Sequence, residues 1–193
     1  MILTDKIRDN KIAVIEQVIN LAIDLGINSD WLMFVIYFES GWNPHAKNVY
    51  SGATGLIQFT PNTAHALGTS VEELAMMDSL EQMTYVRKYF KPYAHKMQSL
   101  EDVYLAVFFP EAIGKADDYV LQTKTISAEK IASQNKIFDL DSDLRVTKGE
   151  VMQYLSNWIN KNKINLYMEE KMRNTFAYGG LIILVFALMI IGK

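Results

Sequence analysis

The sequence predicts a mainly α-helical fold with a short loop or hairpin region between its helices. Two observations predict this architecture. Apolar residues recur at three- and four-residue spacings along most of the chain, while Gly, Pro, Asn and Ser concentrate between residues 41 and 58. A third observation adds a separate element: residues 175–192 carry no charged side chain. About 18 apolar residues suffice to cross a bilayer, so this stretch predicts a C-terminal transmembrane helix.

Capping residues and glycines divide the chain into its helices. The first apolar periodic segment ends at Gly26, and Ser29 is the predicted N-cap of the next helix. That helix runs to Glu39 or Ser40 and stops at Gly41, where the loop region begins. Further helix starts are predicted at residues 60–61, 70–73, 79–82 and 99–102, and a long helical pattern begins near residue 148.

The amino-acid composition limits the classes of function that the protein can have. The chain has 193 residues, half of them hydrophobic, which fits one domain of ordinary size with an appendage. Its net charge of -3 gives no electrostatic footprint for nucleic acid, so no nucleic-acid partner is expected. The absence of cysteine excludes disulfides, thiolate metal sites and cysteine nucleophiles.

Glu39 is the residue that points most directly to chemistry. It ends an apolar stretch, residues 31–38, in which several side chains are aromatic. A carboxyl group that loses water in such surroundings has a raised pKa and keeps its proton near neutral pH. Such an acid can protonate the leaving oxygen of a glycosidic bond. The alternative is a helix C-terminal glutamate that points into solvent.

Two further blocks follow the Glu39-Ser40 pair. Residues 51–59 read Ser-Gly-Ala-Thr-Gly-Leu-Ile-Gln-Phe, and residues 104–110 read Tyr-Leu-Ala-Val-Phe-Phe-Pro. With these blocks, residues 12–116 resemble the lytic transglycosylase (SLT-type) domain of the lysozyme-like superfamily, in its phage virion-associated form. The resemblance implies a lysozyme-like helical catalytic domain over residues 1–134, with peptidoglycan glycan strands as its substrate.

The resemblance also implies roles for individual residues. Glu39 would be the catalytic acid and then the base, and Ser40 would bind a substrate group or orient Glu39. Gln58 would offer a donor and an acceptor to N-acetyl or hydroxyl groups. For each residue taken singly, a turn, a structural amide or a core aromatic is the competing interpretation. The full substrate-binding set is Ser40, Trp42, Gly55, Gln58, Phe59, Tyr104 and Phe108.

The third block departs from the family pattern. The family usually has a Tyr-Asn pair where this chain has Phe108 and Phe109. The hydroxyl that usually bonds to the catalytic acid is therefore missing from that position. Tyr37 and Tyr104 are the candidate substitutes. The same departure favours an alternative function class, a catalytically inactive wall-binding or virion structural protein.

A single carboxylate limits the mechanism. Most glycosidases use two carboxyl groups, and no second one stands near the motif. The family uses the substrate's N-acetyl group instead, and cleavage after N-acetylmuramic acid leaves a 1,6-anhydro sugar. Water as the acceptor would make the enzyme a muramidase, an alternative that the sequence leaves open. No cofactor is required in either case.

An acidic loop predicts a structural calcium ion. Residues 139–150 fit the twelve-residue EF-hand frame, although Leu144 stands where that frame has glycine. The competing interpretation is a capping box, residues 147–150, at the start of the following helix. The loop and this helix form a predicted segment at residues 135–160. The predicted metal ligands are Asp139, Asp141, Asp143, Arg145, Thr147 and Glu150.

The C-terminal segments predict a membrane location. Residues 161–174 form a predicted juxtamembrane helix that is rich in Lys and Arg, and residues 175–192 form a single-pass anchor. The N-terminal 25 residues contain four acidic side chains and no apolar signal region. The positive-inside tendency places the catalytic side in the cytoplasm, away from peptidoglycan. A virion internal membrane, with other virion proteins as partners, resolves this conflict; a bacterial cell envelope is the alternative.

Overall fold

The computed structural model describes residues 1–164 and Leu166, and this part of the chain is mainly helical, as predicted. The predicted transmembrane helix at residues 175–192 lies outside the described residues, as does most of the juxtamembrane segment. Within the described part, no single helix has the length and apolarity needed to span a membrane. One pair of helices, Lys11–Leu25 and Ser29–Ser40, is long and apolar enough when taken together, but it is bent by 118°. The helices are α1 (Lys11–Leu25), α2 (Ser29–Ser40), α3 (Pro61–Ala66), α4 (Val71–Met76), α5 (Ser79–Phe90), α6 (Leu100–Phe108), α7 (Ala128–Gln134) and α8 (Lys148–Lys161).

The helix starts follow the capping residues closely. Ser70 and Thr147 form the predicted capping boxes of α4 and α8. Two predictions are wrong by one residue. Asn28, rather than Ser29, caps α2 by accepting a hydrogen bond from Asp30 N, and the box of α5 is Asp78 with Glu81. In both cases the side-chain oxygen of the preceding residue accepts the hydrogen bond from the first turn of the helix.

Helix α2 is the central element of the fold. It packs between α1 and α6, and α1 also packs on α5. Five successive side chains of α2, residues 32–36, are fully buried. A helix that is apolar on all sides has to be surrounded by protein. The hydrophobic run that precedes Glu39 therefore fixes the position of the end of α2 within the core.

The segment between α2 and α3 is a hydrogen-bonded loop with hairpin character. Thr54 forms isolated antiparallel bridges with both Lys47 and Phe59. Its backbone N–H donates to Phe59 O at 3.0 Å, and Phe59 N donates back to Thr54 O at 2.9 Å. The loop is thus folded back on itself, which agrees with the short hairpin that the Gly- and Asn-rich sequence predicts.

The core continues past residue 134, where the sequence suggested a domain boundary. Val146, Val151 and Leu155 belong to the same buried cluster as the residues of α1 and α2. Leu121 N donates a hydrogen bond to Val146 O at 2.8 Å, which ties the two sides together. The acidic loop and α8 are therefore packed onto the helical domain, and one hydrophobic core serves both.

Candidate active site

Glu39 lies in the last turn of α2, which ends at Gly41 because that glycine adopts φ 62°. Its side chain is partly exposed, so it is accessible to a ligand while protein atoms surround most of it. Burial raises the pKa of the Glu39 carboxyl group from 4.5 to about 7. Among the described residues, no cation and no hydrogen-bond donor reaches the carboxylate. Glu39 can therefore hold or release a proton near neutral pH.

Two tyrosines interact electrostatically with Glu39. Burial, and then the negative charge of Glu39, raise the pKa of Tyr104 well above its usual value. The pKa of Tyr89 is also raised, by burial first and then by Tyr93 and Glu39. Both hydroxyls therefore stay neutral across the working pH range. The hydroxyl of Tyr89 donates to Ala106 O at 2.8 Å, which joins α5 to α6 beside the acid.

Tyr89 is a residue that the sequence motifs did not reveal. It lies on α5, outside all three blocks, and its only sequence signal is its place between Val86 and Phe90 on the apolar face. Of the two candidate substitutes for the missing hydroxyl, Tyr104 lies near Glu39. Tyr37 packs instead on Trp158, with ring centres 6.2 Å apart, and interacts with Lys6.

Aromatic rings support the end of α2. The ring of Phe38 lies 5.3 Å from Tyr104 in an edge-to-face arrangement. Phe108 stacks on Tyr104 at 5.7 Å and contacts Phe138 at 4.8 Å, and it remains partly exposed. The third block thus packs aromatic rings against Phe38, the residue directly before Glu39. Phe108 is available for substrate contact, whereas Tyr104 is only 2% exposed and acts through its neighbours.

Ser40 and Gln58 are also accessible, but part of their hydrogen-bonding capacity is used. The hydroxyl of Ser40 donates to Ile36 O at 3.0 Å. The side-chain nitrogen of Gln58 donates to Ala46 O at 3.3 Å and to Gly55 O at 3.1 Å. Gln58 was expected to act as donor and acceptor; with both amide protons engaged, its side-chain oxygen is left as an acceptor for substrate.

Besides Tyr104, three further residues of the predicted substrate-binding set are buried. Trp42 is fully buried, and its indole nitrogen donates to Met33 O at 3.2 Å. Phe59 is 1% exposed and meets Tyr89 edge to face. Gly55 is buried against Gln82. These residues shape the loop from inside; a sugar ring cannot reach them.

The acidic loop brings three of the six predicted metal ligands together. Single carboxylate oxygens of Asp139, Asp141 and Asp143 lie within 4.8 Å of one another. Oδ1 of Asp139 is buried and has no hydrogen-bond partner among the described residues. Leu144 adopts φ 67°, the left-handed conformation that the EF-hand frame requires at its glycine position. Arg145 uses its backbone N–H to bind Asp143 Oδ1 at 2.8 Å.

Glu150 and Thr147 form the capping box instead of joining this cluster. Glu150 Oε2 accepts from the backbone N–H and the hydroxyl of Thr147, both at 2.8 Å, and Oε1 accepts from Leu140 N at 2.9 Å. Burial opposes ionisation of Glu150, but these hydrogen bonds outweigh it and hold its pKa below the usual value. The predicted bidentate ligand is thus engaged in capping α8.

Glu39, Phe108 and Gln58 offer an accessible acid, an apolar face and a hydrogen-bond acceptor, which are groups that a single-acid glycosidase can use. Residues 18–107 match the family model described as the transglycosylase SLT domain, and they include Glu39 and Gln58. This segment is somewhat less than half of the chain. The match supports the lytic transglycosylase and lysozyme-like family, an enzyme of that general type and a peptidoglycan substrate. Comparisons with curated proteins and with solved structures give no match.

Proposed function

We propose that this protein is a peptidoglycan lytic transglycosylase that cleaves the bond between N-acetylmuramic acid and N-acetylglucosamine. The observation that carries the proposal is the state of Glu39. Its pKa is raised to about 7 by burial, it is accessible, and it lies inside the segment that matches the SLT domain. An acid with a pKa near the working pH can both give and take a proton within one catalytic cycle.

The proposed reaction needs no second carboxylate. Protonated Glu39 donates its proton to the bridging oxygen, and the C1–O bond breaks. The N-acetyl oxygen of the same sugar stabilises the positive charge at C1. Glu39, now a carboxylate, removes the proton from the C6 hydroxyl, whose oxygen bonds to C1. The product is a 1,6-anhydro sugar, and Glu39 ends the cycle protonated.

Two accessible residues of the sequence blocks, Gln58 and Phe108, fit binding roles in this reaction. The side-chain oxygen of Gln58 is available to accept a hydrogen bond from a sugar hydroxyl or an N-acetyl N–H group. Phe108 offers an apolar face against a sugar ring. Two other outcomes compete with the proposal. Water attack at C1 would make the enzyme a muramidase, and the aromatic pair at residues 108–109 favours a wall-binding protein without activity.

Mass spectrometry of digested peptidoglycan separates these outcomes. Full-length protein should release muropeptides with 1,6-anhydro ends, which are 18 mass units lighter than hydrolysed ends because no water is added. Glu39→Gln should release none and keep its circular dichroism spectrum. Reducing ends in place of anhydro ends would identify a muramidase. Binding to peptidoglycan without any product would identify a wall-binding protein.

We further propose that Asp139, Asp141 and Asp143 hold a structural calcium ion that takes no part in the chemistry. The convergence of three carboxylates and the orphaned Oδ1 of Asp139 support this proposal. Calcium prefers oxygen ligands, and backbone carbonyl groups and water would complete its shell. Glu150 would have to leave its capping position to bind the ion.

We also propose a membrane-anchored protein of a virion internal membrane, on sequence grounds alone. The uncharged stretch at residues 175–192 and the basic residues before it support the anchor. A chain that ends at residue 164 should lose membrane association and keep its peptidoglycan activity. Presence of the protein in purified virions would support the location, and its recovery only from the bacterial envelope would refute it.

A further inference from the structure

We propose that Gln82 is a positioning residue that fixes the distance between Glu39 and the loop that carries Gln58. The inference rests on the proposed function and adds a residue that none of the three sequence blocks contains. Gln82 lies on α5 and is completely buried. It touches no substrate; it acts through the backbone segments to which it is hydrogen-bonded.

The side-chain amide of Gln82 makes three short hydrogen bonds to three separate parts of the chain. Its oxygen accepts from Leu56 N at 2.8 Å. Its nitrogen donates to Pro44 O at 2.7 Å and to Leu74 O at 2.8 Å. Both amide protons and one acceptor position are therefore used, and all of these contacts are buried.

Two of these partners lie in the loop between α2 and α3. Pro44 is in the turn that leaves α2 just after Glu39, and Leu56 precedes Gln58 by two residues. Neither Leu56 N nor Pro44 O has a backbone hydrogen-bond partner within the described part of the chain. Gln82 therefore satisfies buried loop groups that no helix or strand satisfies, and it holds Pro44 and Leu56 of the α2–α3 loop at a fixed spacing.

Gly55 is shaped to accept this amide. A Cβ atom at position 55 would lie 2.4 Å from Gln82 Oε1, and Gly55 adopts φ 84°. The side-chain nitrogen of Gln58 in turn donates to Gly55 O. The contact therefore continues from Gln82 through the backbone of Gly55 to Gln58. Because Gly55 has no side chain, the amide group of Gln82 fits against its backbone.

The test replaces the amide without changing its size. Gln82→Met removes the three hydrogen bonds and fills nearly the same volume. Met83→Ala is the control, because Met83 is a buried neighbour on α5 whose side chain makes no hydrogen bond within the described part of the chain. Both variants are made in the full chain, and kcat and KM are measured on a defined glycan oligomer well below both unfolding temperatures. The proposal requires kcat to fall by about tenfold or more in Gln82→Met.

The control separates positioning from stability. Met83→Ala should lose a similar amount of stability and keep kcat within about twofold of the wild type, and neither variant should shift the pH at which activity declines. Equal kcat losses in the two variants would overturn the proposal. If Gln82→Met does not fold, Gln82→Asn keeps the amide on a shorter side chain, and kcat should fall in it too; wild-type kcat would overturn the proposal.

A wild-type protein that cleaves no peptidoglycan would refute the proposed function. In that case, the positioning role of Gln82 is tested by the backbone amide resonances of residues 55–58 in nuclear magnetic resonance spectra. These resonances should move in Gln82→Met and stay in place in Met83→Ala. Unmoved resonances in Gln82→Met would overturn the positioning role independently of any activity.

Discussion

The ring of Trp158 lies 5.1 Å from the ring of Phe38, the residue directly before Glu39. Trp158 also meets Phe34 edge to face at 5.9 Å. These contacts pack α8 against the face of α2 that carries Phe34 and Phe38. Trp158 lies beyond the segment that matches the SLT domain, which ends at residue 107. The support of the site therefore extends outside the matched segment.

Trp158→Ala should lower the free energy of unfolding by roughly 3 kcal/mol, because it removes a large, mostly buried ring and leaves a cavity against α2. Urea denaturation followed by circular dichroism measures the change. Asn157→Ala, an exposed substitution on the same helix, is the control and should stay within about 0.5 kcal/mol of the wild type. Equal stabilities of the two variants would show that α8 does not support α2.

Features of the fold that depend on residues close in sequence could be predicted from the sequence. Capping boxes are patterns of residues that are close in sequence. The predicted boxes of α4 and α8 are confirmed, and the predicted box of α5 is wrong by one residue. The raised pKa of Glu39 followed from the aromatic run before it. Both inferences use neighbours along the chain, which a single sequence displays directly.

Contacts between distant segments could not be predicted from the sequence in the same way. The hydrogen bond from Leu56 to Gln82 spans 26 residues, and the one from Gln82 to Pro44 spans 38. Trp42 was expected to line the groove because it adjoins the motif, but the loop folds it inward. Burial of a loop side chain depends on what the rest of the fold packs over it, and no local spacing encodes that.

Activity should fall as the pH rises above about 7. The proposed acid must be protonated to cleave the glycosidic bond, and Glu39 loses its proton near that pH because burial raises its pKa. The initial rate of anhydro-muropeptide release, measured from pH 5 to pH 9 at constant ionic strength, checks this. A rate that stays constant up to pH 9 would exclude Glu39 as the proton donor. Glu39→Gln should be inactive at every pH.

Glu39→Gln should also change the pH dependence of stability. The folded protein holds this proton up to about pH 7, whereas the unfolded chain releases it near 4.5. The wild type therefore loses stability relative to the variant as the pH rises from about 4.5 to about 7. Each unit of pKa difference corresponds to about 1.4 kcal/mol. Because Glu39 is partly exposed, we expect roughly 2 kcal/mol in all.

Urea denaturation at pH 4 and at pH 8 measures this difference. The variant should gain stability over the wild type only at the higher pH. Glu16→Gln, a substitution of an exposed glutamate on α1, is the matched control and should show no such gain. An equal difference between variant and wild type at both pH values would mean that the environment of Glu39 does not disfavour its charge.

Gln58→Glu should destabilise the loop by about 1–3 kcal/mol. The substitution keeps the shape of the side chain but removes both donated protons, so that a carboxylate faces the carbonyl oxygens of Ala46 and Gly55. Differential scanning calorimetry should show a lower melting temperature. Gln122→Glu adds the same charge at an exposed position and should leave the melting temperature almost unchanged. Equal melting temperatures for the two variants would contradict the hydrogen bonds of Gln58.

Calcium should raise the melting temperature if the acidic loop binds it. An ion that binds only the folded chain contributes about 2.7 kcal/mol when its concentration is 100 times its dissociation constant. Asp141→Asn should abolish the increase, because it removes one of three converging charges. Asp118→Asn, at an exposed position outside the cluster, should retain it. Calorimetric titration that detects no binding to the wild type at millimolar calcium would refute the site. The carboxylate of Glu150 would then serve to cap α8 with Thr147 and to hold the backbone of Leu140.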